Sequence, residues 1–455
     1  MRTWRTCALL FALLSAELAC GCLDDPWDSP PPSKQPPERP IDPSELTCGT
    51  VAQCSIADSA CQQALLQMTA CVRENVVPPL PPVRTLSREG LREESSVDSE
   101  PATSTAGATS AALVALHLLA PTTTVARAAD EEQASSTVAF YRTDVKDLTV
   151  VSDAITSLDD GMFALSHEFS HYLQDLHGQL RPAPAQDASI DELVAASALT
   201  EGEAVVTSYR VLFESMGVPA SRVQWPSLVT SLEFQVAEEV DDSASPLIAA
   251  WAKLPYALSL RHIQSVWEDG GRTQVDQLFE DAPATALDWL NLATGDVGQN
   301  AEPLDCYPPA PPEGFELVNL ESLGFTGVYA MFATQHTATL LSAGNWRGDA
   351  LAVYRPQDPQ GSSPPVLSVW RLRFKRERDA SGFVRAIAPL ELMVLRFGRE
   401  VSISVSSDPE LAPIGPEALM DCPSEQELSS ALPKPTHMNA ALLHGRRTRS
   451  LRPRL

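Results

Sequence analysis

The chain has 455 residues, of which 44% are hydrophobic and 20% are charged, so it is long enough to bury one or two sizeable cores. Its formal net charge of −26 predicts a mostly acidic surface and argues against a nucleic-acid partner. The concentrated basic run HGRRTRSL belongs to the last segment, residues 426–455, which we interpret as a solvated basic tail.

The first 21 residues have the pattern of an export signal. Arg2 and Arg5 precede the apolar run CALLFALLSA, which is too short to span a bilayer and is typical of a secretory signal peptide. The run ends in LACGC, which resembles the end of a bacterial lipoprotein signal. That resemblance implies a lipid on Cys22, or alternatively on Cys20, and attachment of the exported protein to a bacterial membrane.

Three segments separate the signal from the first predicted domain. Residues 22–47 are rich in proline and acidic side chains, which predicts an extended spacer. Residues 48–75 contain four cysteines and the helical stretch CQQALLQMTACV. Residues 76–137 are rich in Pro, Ser, Thr and Ala without periodicity, and this composition predicts a disordered linker.

The cysteine content agrees with export, because six cysteines follow Cys22 and an even number suits disulfides in an oxidising compartment. Four of them cluster and are expected to pair among themselves: Cys48, Cys54, Cys61 and Cys71. Cys306 and Cys422 flank the C-terminal region and are expected to close it as a loop. Zinc binding by the cluster is a weaker alternative, since the spacings are not C-x-x-C and no histidine is near.

Regular structure is predicted from residue 138 onward. The runs VAFYR and DLTVV predict a small hairpin at a sheet edge, where a strand could line a cleft and pair with an extended substrate. The stretch SLDDGMFALSHEFSHYLQDLHG predicts a helix that is capped by Ser157 or Asp159 and ends at Gly178. A second long helix is predicted at about residues 190–215.

The later sequence alternates between helix and strand patterns. Further helices are predicted between residues 245 and 295, and the helix LESLGFTGVYAMFATQHTATLL follows in the C-terminal half. The runs LAVYR, VLSVWRLRF, ELMVLRF and VSISVSS predict strands. We therefore predict an α+β fold with a metal-binding domain at residues 138–300 and a mixed α/β region at residues 301–425.

The first long helix contains the motif H-E-x-x-H, formed by His167, Glu168 and His171. Residues four apart lie on one helical face, so both imidazoles can reach one metal ion. Glu168 is one step around the helix and can take a proton from a water molecule without ligating the metal. The pattern therefore predicts a metal-dependent hydrolase.

Catalytic zinc usually has a third protein ligand, and the candidate is Glu201 in the stretch ALTEGEAVV of the second helix. A helix that returns antiparallel after a loop can present Glu201 to the same point. Glu203 is the alternative, but it lies about 200° around the helix from Glu201, so both cannot face one ion. Gly202 is a poor helix former and predicts a close approach by another element, allowing the two helices to come together.

Four other side chains are weaker candidates. Asp175 is four residues after His171 and could accept a hydrogen bond from that ligand, or could be an exposed acid. His177 is expected to interact with the helix dipole. Tyr256 or Tyr209 could donate to a developing oxyanion, although a tyrosine in the core is the simpler interpretation of each.

The motif and the downstream E-G-E-A together resemble the gluzincin type of zinc metallopeptidase. This resemblance implies a zincin-like fold with an active-site helix and a second ligand helix. It also implies Zn²⁺ held by His167, His171 and Glu201, with Glu168 as the general base. The sequence is similar, over roughly residues 138–405, to uncharacterised bacterial envelope proteins that pair H-E-x-x-H-x-x-Q-D with E-G-[DE]-A. The short metal motifs are the more specific part of this similarity.

The sequence thus predicts a zinc metallopeptidase of the cell envelope that hydrolyses a peptide or protein substrate. Two alternatives remain open at this point. One is a non-catalytic envelope lipoprotein in which the zinc is structural or lost and the C-terminal region binds a partner. The other keeps the hydrolysis but directs it at peptidoglycan peptides.

Overall fold

The computed structural model describes residues 47–95, 104–180, 188–295, 300–358, 364–421, 423 and 450–451. The predicted signal peptide, Cys20, Cys22 and nearly all of the proline-rich spacer lie outside these residues, as does most of the basic tail. The described residues belong to one compact unit. Within the described ranges, no helix is both long enough and apolar enough to cross a membrane.

The helices of the described part are numbered in chain order. They are α1 (Ser59–Val72), α2 (Arg88–Ser95), α3 (Thr105–Ala115), α4 (Val125–Ser136), α5 (Leu158–Leu176), α6 (Ile190–Ser215), α7 (Trp225–Asp241), α8 (Pro246–Leu258), α9 (Leu260–Glu280), α10 (Ala286–Thr294), α11 (Gly324–Ala333), α12 (Leu340–Ala343), α13 (Glu377–Ile387) and α14 (Pro416–Leu419).

The strands form two sheets. They are β1 (Val83–Leu86), β2 (Ala139–Arg142), β3 (Asp147–Val151), β4 (Phe315–Glu321), β5 (Trp346–Pro356), β6 (Leu367–Phe374), β7 (Met393–Phe397), β8 (Glu400–Ser406) and β9 (Ser450–Leu451). The first sheet has the order β1-β3-β2-β9 and the second the order β4-β5-β6-β8-β7. The predicted α+β class is confirmed.

The hairpin predicted from VAFYR and DLTVV is β2 and β3, which pair antiparallel with Ala139 opposite Val150. The prediction that DLTVV is at a sheet edge is wrong, because β1 pairs with β3 in parallel on its other side. Strand β2 also has a short antiparallel partner, since Tyr141 is opposite Ser450 of β9. Strand β3 therefore has a partner on both sides, and β2 has a partner on its outer side over part of its length.

The prediction of a disordered linker over residues 76–137 is wrong for the described part, which contains β1, α2, α3 and α4. Helix α3, with the sequence TAGATSAALVA, buries small residues around most of its circumference. A helix that is buried on most sides has no polar stripe, so it shows no amphipathic period in the sequence. Both α3 and α4 begin with a side-chain cap, from Ser104 and Thr124 respectively.

The second sheet is antiparallel throughout and shares its core with the helices. The largest hydrophobic cluster joins residues of α5, α6, α8 and α11 to Trp370 and Val401 of β6 and β8. The boundary predicted at residues 300 and 301 therefore separates a mostly helical part from a sheet-rich part that packs on the same core. The helix predicted from LESLGFTGVYAMFATQHTATLL includes the end of β4, then α11 and α12.

A buried carboxylate connects the start of the second long helix to the sheet-rich part. Asp191, in the first turn of α6, accepts backbone hydrogen bonds from Phe325 (2.7 Å) and Thr326 (2.8 Å) at the start of α11. It thus satisfies amide groups that a helix N-terminus leaves without intrahelical partners. This contact fixes the N-terminal end of α6. Glu201 lies further along the same helix.

The clustered cysteines pair among themselves, as predicted. Cys48 is bonded to Cys71, and Cys54 is bonded to Cys61. Cys306 is disulfide-bonded as well, and its expected partner Cys422 lies outside the described residues. Both described bridges lie close to α1, which is the predicted helical stretch CQQALLQMTACV.

Candidate metal centre

Helix α5 begins and ends as its sequence predicts. Ser157 is the N-cap, and its hydroxyl accepts a hydrogen bond from the Asp160 amide at 3.1 Å. After the helix, Gly178 has φ +67°, a left-handed conformation that favours glycine. The helix is therefore fixed at both ends, and it buries the face that contains His167 and His171.

Helix α6 begins with a capping box in which Ser189 and Glu192 satisfy each other's backbone amides. It packs against α5. The side chains of His167, His171 and Glu201 meet between the two helices, and the three residues are 5%, 0% and 7% exposed. The sequence predicted these three residues as the ligand set, and the fold brings them together.

The three facing atoms form a nearly regular triangle. Its edges are 3.0 Å from His167 Nε2 to His171 Nε2, 3.3 Å from His167 Nε2 to Glu201 Oε2, and 3.7 Å from His171 Nε2 to Glu201 Oε2. A tetrahedral ion with bonds of about 2.0–2.1 Å holds its ligand atoms about 3.3 Å apart. The residues present therefore fit a metal ion, and no fourth His, Cys, Asp or Glu joins the group within the described ranges.

The neighbour of His171 defines which of its nitrogens faces the other ligands. Gln174 donates its amide NH₂ to the carbonyl of Thr200 at 2.9 Å and to Glu203 Oε2 at 2.7 Å. Its oxygen must then face His171 Nδ1, which lies 2.6 Å away and donates its proton. His171 Nε2 is left with a lone pair toward the ligand triangle, which is the tautomer that metal ligation needs.

Of the two possibilities for Asp175, the hydrogen bond from His171 is not formed, because His171 Nδ1 faces Gln174. Asp175 instead accepts a hydrogen bond from the Tyr141 hydroxyl at 2.7 Å and forms an ion pair with Lys146. It therefore faces strand β2 and the following turn rather than the ligands. The residue at i+3 from His171, and not the one at i+4, contacts the imidazole.

The competing carboxylate, Glu203, faces away from the ligands and is fully buried. It forms ion pairs with Arg73 and Arg272 and accepts a hydrogen bond from Thr207 at 2.9 Å. Burial alone would raise the pKa of Glu203, but the two guanidinium groups outweigh burial and lower it to about 2. The preference for Glu201 over Glu203 as the member of the ligand group therefore agrees with the structure.

Aromatic side chains surround the first ligand. The ring of Tyr256 stacks on His167 with centroids 6.0 Å apart, and the ring of Phe163 lies 6.4 Å away on the same imidazole. Tyr209 packs on Phe163 at 4.8 Å, and burial raises the pKa of its hydroxyl. Of the two tyrosine candidates, Tyr256 is therefore the one that contacts a ligand residue directly.

Two other candidate residues lie on α5 or at its end. Glu168 follows His167 in the helix and is buried, with 2% of the residue exposed. His177 is the C-cap residue, and its Nδ1 lies 2.7 Å from the carbonyl oxygen of Leu173. His177 thus interacts with the C-terminal end of the helix, as expected.

Gly202 is needed for a close approach, but the approaching element is the junction of α8 and α9 rather than α5. A Cβ atom at Gly202 would lie 2.1 Å from Ser259 Oγ and 2.9 Å from Ile263 Cδ1. Ser259 Oγ is held by a hydrogen bond to the Ala198 carbonyl, so it cannot move without losing that bond. The glycine beside Glu201 therefore positions α6 against a third helical element.

We expect Gly202→Ala to lower the free energy of unfolding, measured by urea denaturation, by about 1–3 kcal/mol because of overpacking. The matched control is Gly382→Ala within α13, where the nearest atom to the new Cβ, Arg385 Nη2, is 3.9 Å away. There alanine should stabilise the helix by up to about 1 kcal/mol. Equal effects of the two substitutions would contradict the packing role of Gly202.

The sequence assigned no role to three residues of this region: Gln174, which is the Q of H-E-x-x-H-x-x-Q-D, Arg73 and Arg272. The spacing of Gln174 from His171 was a usable signal, because residues three apart also share a helical face. Arg73 and Arg272 are 130 and 69 residues from Glu203 along the chain, so no local pattern could indicate them.

One family matches part of the chain. It is described as a domain of unknown function (DUF8575), and it matches residues 316–398. This range covers most of the second sheet and excludes the ligand triangle. No curated protein and no solved structure matches the chain.

Proposed function

We propose that the protein is a zinc-dependent metallopeptidase with a zincin-like arrangement of the gluzincin type. The observation that carries this proposal is the triangle of His167 Nε2, His171 Nε2 and Glu201 Oε2, with edges of 3.0–3.7 Å. Two imidazoles and one carboxylate are a ligand set of catalytic zinc sites, which leave one position for water or substrate.

The choice of zinc rests on donor chemistry. Imidazole nitrogen together with carboxylate oxygen suits zinc, whereas calcium and magnesium prefer oxygen ligands alone. The tautomer that Gln174 imposes on His171 supplies the neutral ring nitrogen that this chemistry needs.

A zinc ion held there would supply Lewis acidity, which acidifies a water molecule and polarises the scissile carbonyl group. Glu168 is the general base: it takes a proton from the attacking water and then gives it to the leaving amide nitrogen. Tyr256, which stacks on His167, is the candidate donor to the oxyanion that develops on the carbonyl oxygen.

Export is part of the proposal. The N-terminal sequence supports a secretory signal with a lipid on Cys22, and the two bridges at Cys48–Cys71 and Cys54–Cys61 suit an oxidising compartment. The protein would then act in a bacterial cell envelope, attached to a membrane by its lipid.

The test is the Glu168→Gln variant of the zinc-loaded protein. We expect zinc to stay bound while hydrolysis of any cleaved peptide slows by about 10²–10⁴-fold, because the proton acceptor is lost. The rate is measured by mass spectrometry on a peptide library that includes peptidoglycan stem peptides. Glu238→Gln is the matched control, since Glu238 is an exposed residue of α7. A variant that retains the wild-type rate would contradict the role of Glu168.

A second candidate function is favoured by the burial of the site. The ligands and Glu168 are at most 7% exposed, and a surface cavity of about 350 Å³ lies elsewhere, beside Asn291, Arg347 and Lys375. A non-catalytic envelope protein with a structural metal would show this burial. If zinc-loaded wild-type protein cleaves no peptide of the library, this candidate replaces the metallopeptidase.

A further inference from the structure

A buried ionic cluster is connected to the candidate metal centre through Gln174. Arg73, Glu203 and Arg272, called here the arginine–glutamate cluster, are 0%, 0% and 3% exposed. Both guanidinium groups contact the carboxylate of Glu203, one at each oxygen. Charges this deeply buried are costly unless they are paired, so the three residues have to stay together.

The cluster continues to a metal ligand through one amide group. Glu203, fixed as an anion by two cations, can only accept hydrogen bonds. It therefore holds the NH₂ group of Gln174, at 2.7 Å, and turns the amide oxygen toward His171 Nδ1, at 2.6 Å. The ion pairs of Glu203 thus fix the orientation of Gln174, and Gln174 fixes the tautomer of His171.

Arg73 reaches this cluster from the disulfide-closed N-terminal segment. It is the residue after α1 and lies two positions beyond Cys71, which is bonded to Cys48. The Cys48 amide donates to Glu214 Oε2 of α6 at 3.0 Å. The bridge therefore connects the end of α1, just before Arg73, to the C-terminal end of the ligand helix, about three turns beyond Glu203.

Arg272 reaches the cluster because α9 is kinked immediately before it. Gly271 has φ +65° and ψ −162°, which is not helical and is strained for residues other than glycine. After the kink, Asp276 accepts a hydrogen bond from Arg272 Nε at 2.9 Å. Gln179, just beyond the end of α5, connects the two sides by accepting from Arg73 at 2.9 Å and donating to Asp276 at 2.6 Å.

We propose that Arg73 and Arg272 are positioning residues that act through Glu203 and Gln174 to hold His171 in its metal-binding tautomer. The segment from Cys48 to Arg73 is then a permanent part of the metal centre, and its Cys48–Cys71 bridge supports metal affinity. This inference rests on the proposed metal site and adds to it the residues that orient a ligand from outside the helix pair.

The first test measures the tautomer of His171 in the metal-free protein, by ¹⁵N NMR of selectively labelled histidine. Wild type should show a protonated Nδ1 and an unprotonated Nε2. Gln174→Met keeps the side-chain length but replaces the amide oxygen by a sulfur that accepts hydrogen bonds only weakly, so it should shift His171 toward the Nε2–H form. Gln264→Met is the matched control, because Gln264 is a buried glutamine of α9 outside the cluster. An unchanged His171 signal in folded Gln174→Met would overturn the proposal.

The second test measures zinc affinity by competition with a chromophoric chelator, together with the visible spectrum of the Co²⁺ form. We expect Gln174→Met and the double variant Cys48→Ser/Cys71→Ser to bind zinc about 10–100-fold more weakly than wild type. The double variant Cys54→Ser/Cys61→Ser removes the other bridge and should retain wild-type affinity.

The outcomes separate this inference from the proposed function. Tight zinc binding by wild type and equally tight binding by all the variants would overturn the positioning role alone. An absence of zinc from wild type would overturn the metal site itself. Weaker binding by Gln174→Met and by the Cys48→Ser/Cys71→Ser variant, with the Cys54→Ser/Cys61→Ser variant unaffected, would support the inference whether or not a peptide substrate is found.

Discussion

Wild-type protein supplied with zinc should contain about one zinc per chain, and His171→Ala or Glu201→Ala should contain little. Each substitution removes one corner of the ligand triangle and leaves two protein ligands, which hold zinc far more weakly than three. Metal content is measured by mass spectrometry on the purified exported form. Zinc in excess should also raise the melting temperature of wild type, because a ligand at about 1,000 times its Kd stabilises the folded state by about 4 kcal/mol.

The matched control for this experiment is His262→Ala. His262 is a partly buried histidine of α9 that packs on Trp289 and lies outside the ligand group. This variant should keep its zinc, so a loss common to all three variants would point to misfolding instead of ligand removal. A wild type that takes up no zinc would contradict the site, and the non-catalytic candidate would then lead.

Glu203→Leu should lower the free energy of unfolding by about 3–5 kcal/mol, because it leaves two buried guanidinium groups without their carboxylate. Urea denaturation of the metal-free protein at neutral pH measures this change. The matched control is Glu316→Leu, which breaks the partly exposed ion pair with Arg355 in the second sheet. An exposed pair contributes about 0–1 kcal/mol, so the control should be nearly neutral. Similar losses in the two variants would contradict the special role of the buried cluster.

The carboxylate of Glu203 should also make the stability of the protein depend on pH in acid. The pKa of Glu203 falls from its ordinary value of 4.5 to about 2 in the folded protein, since the guanidinium groups overcome the effect of burial. A depressed folded-state pKa stabilises the protein above the unfolded-state value and loses this contribution as the pH falls. The stability difference between wild type and Glu203→Leu should therefore shrink between about pH 4.5 and pH 2. A constant difference over this range would contradict the assignment.

Much of the candidate site could be predicted because its determinants are local. The spacing of His167 and His171 places both rings on one face of any helix that forms there. Ser157 and Gly178 mark the ends of that helix by their chemistry, and the structure confirms both. The α+β class, the hairpin and the pairing within the cysteine cluster also follow from patterns contained in short segments.

Other features were mispredicted because a local pattern has several solutions. Asp175 and Gln174 are both within reach of His171 along a helix, and the packing of β2 on α5 directs Asp175 to Tyr141 instead. Gly202 indicated a close approach, but only the fold shows that the approaching group is Ser259. Helix α3 looked disordered, because a helix of small residues that is buried on most sides has no polar face to reveal its period.

The sequence by itself determined the identity of the ligand candidates, the helices that present them and the acidic, disulfide-containing character of the chain. Only the tertiary structure decided that the ligand atoms lie 3.0–3.7 Å apart and that Arg73 and Arg272 converge on Glu203. The physical reason is the distance along the chain between the residues that interact. Helix periodicity and capping depend on neighbours a few residues away, whereas the pairing of buried charges depends on which distant segments the core brings together.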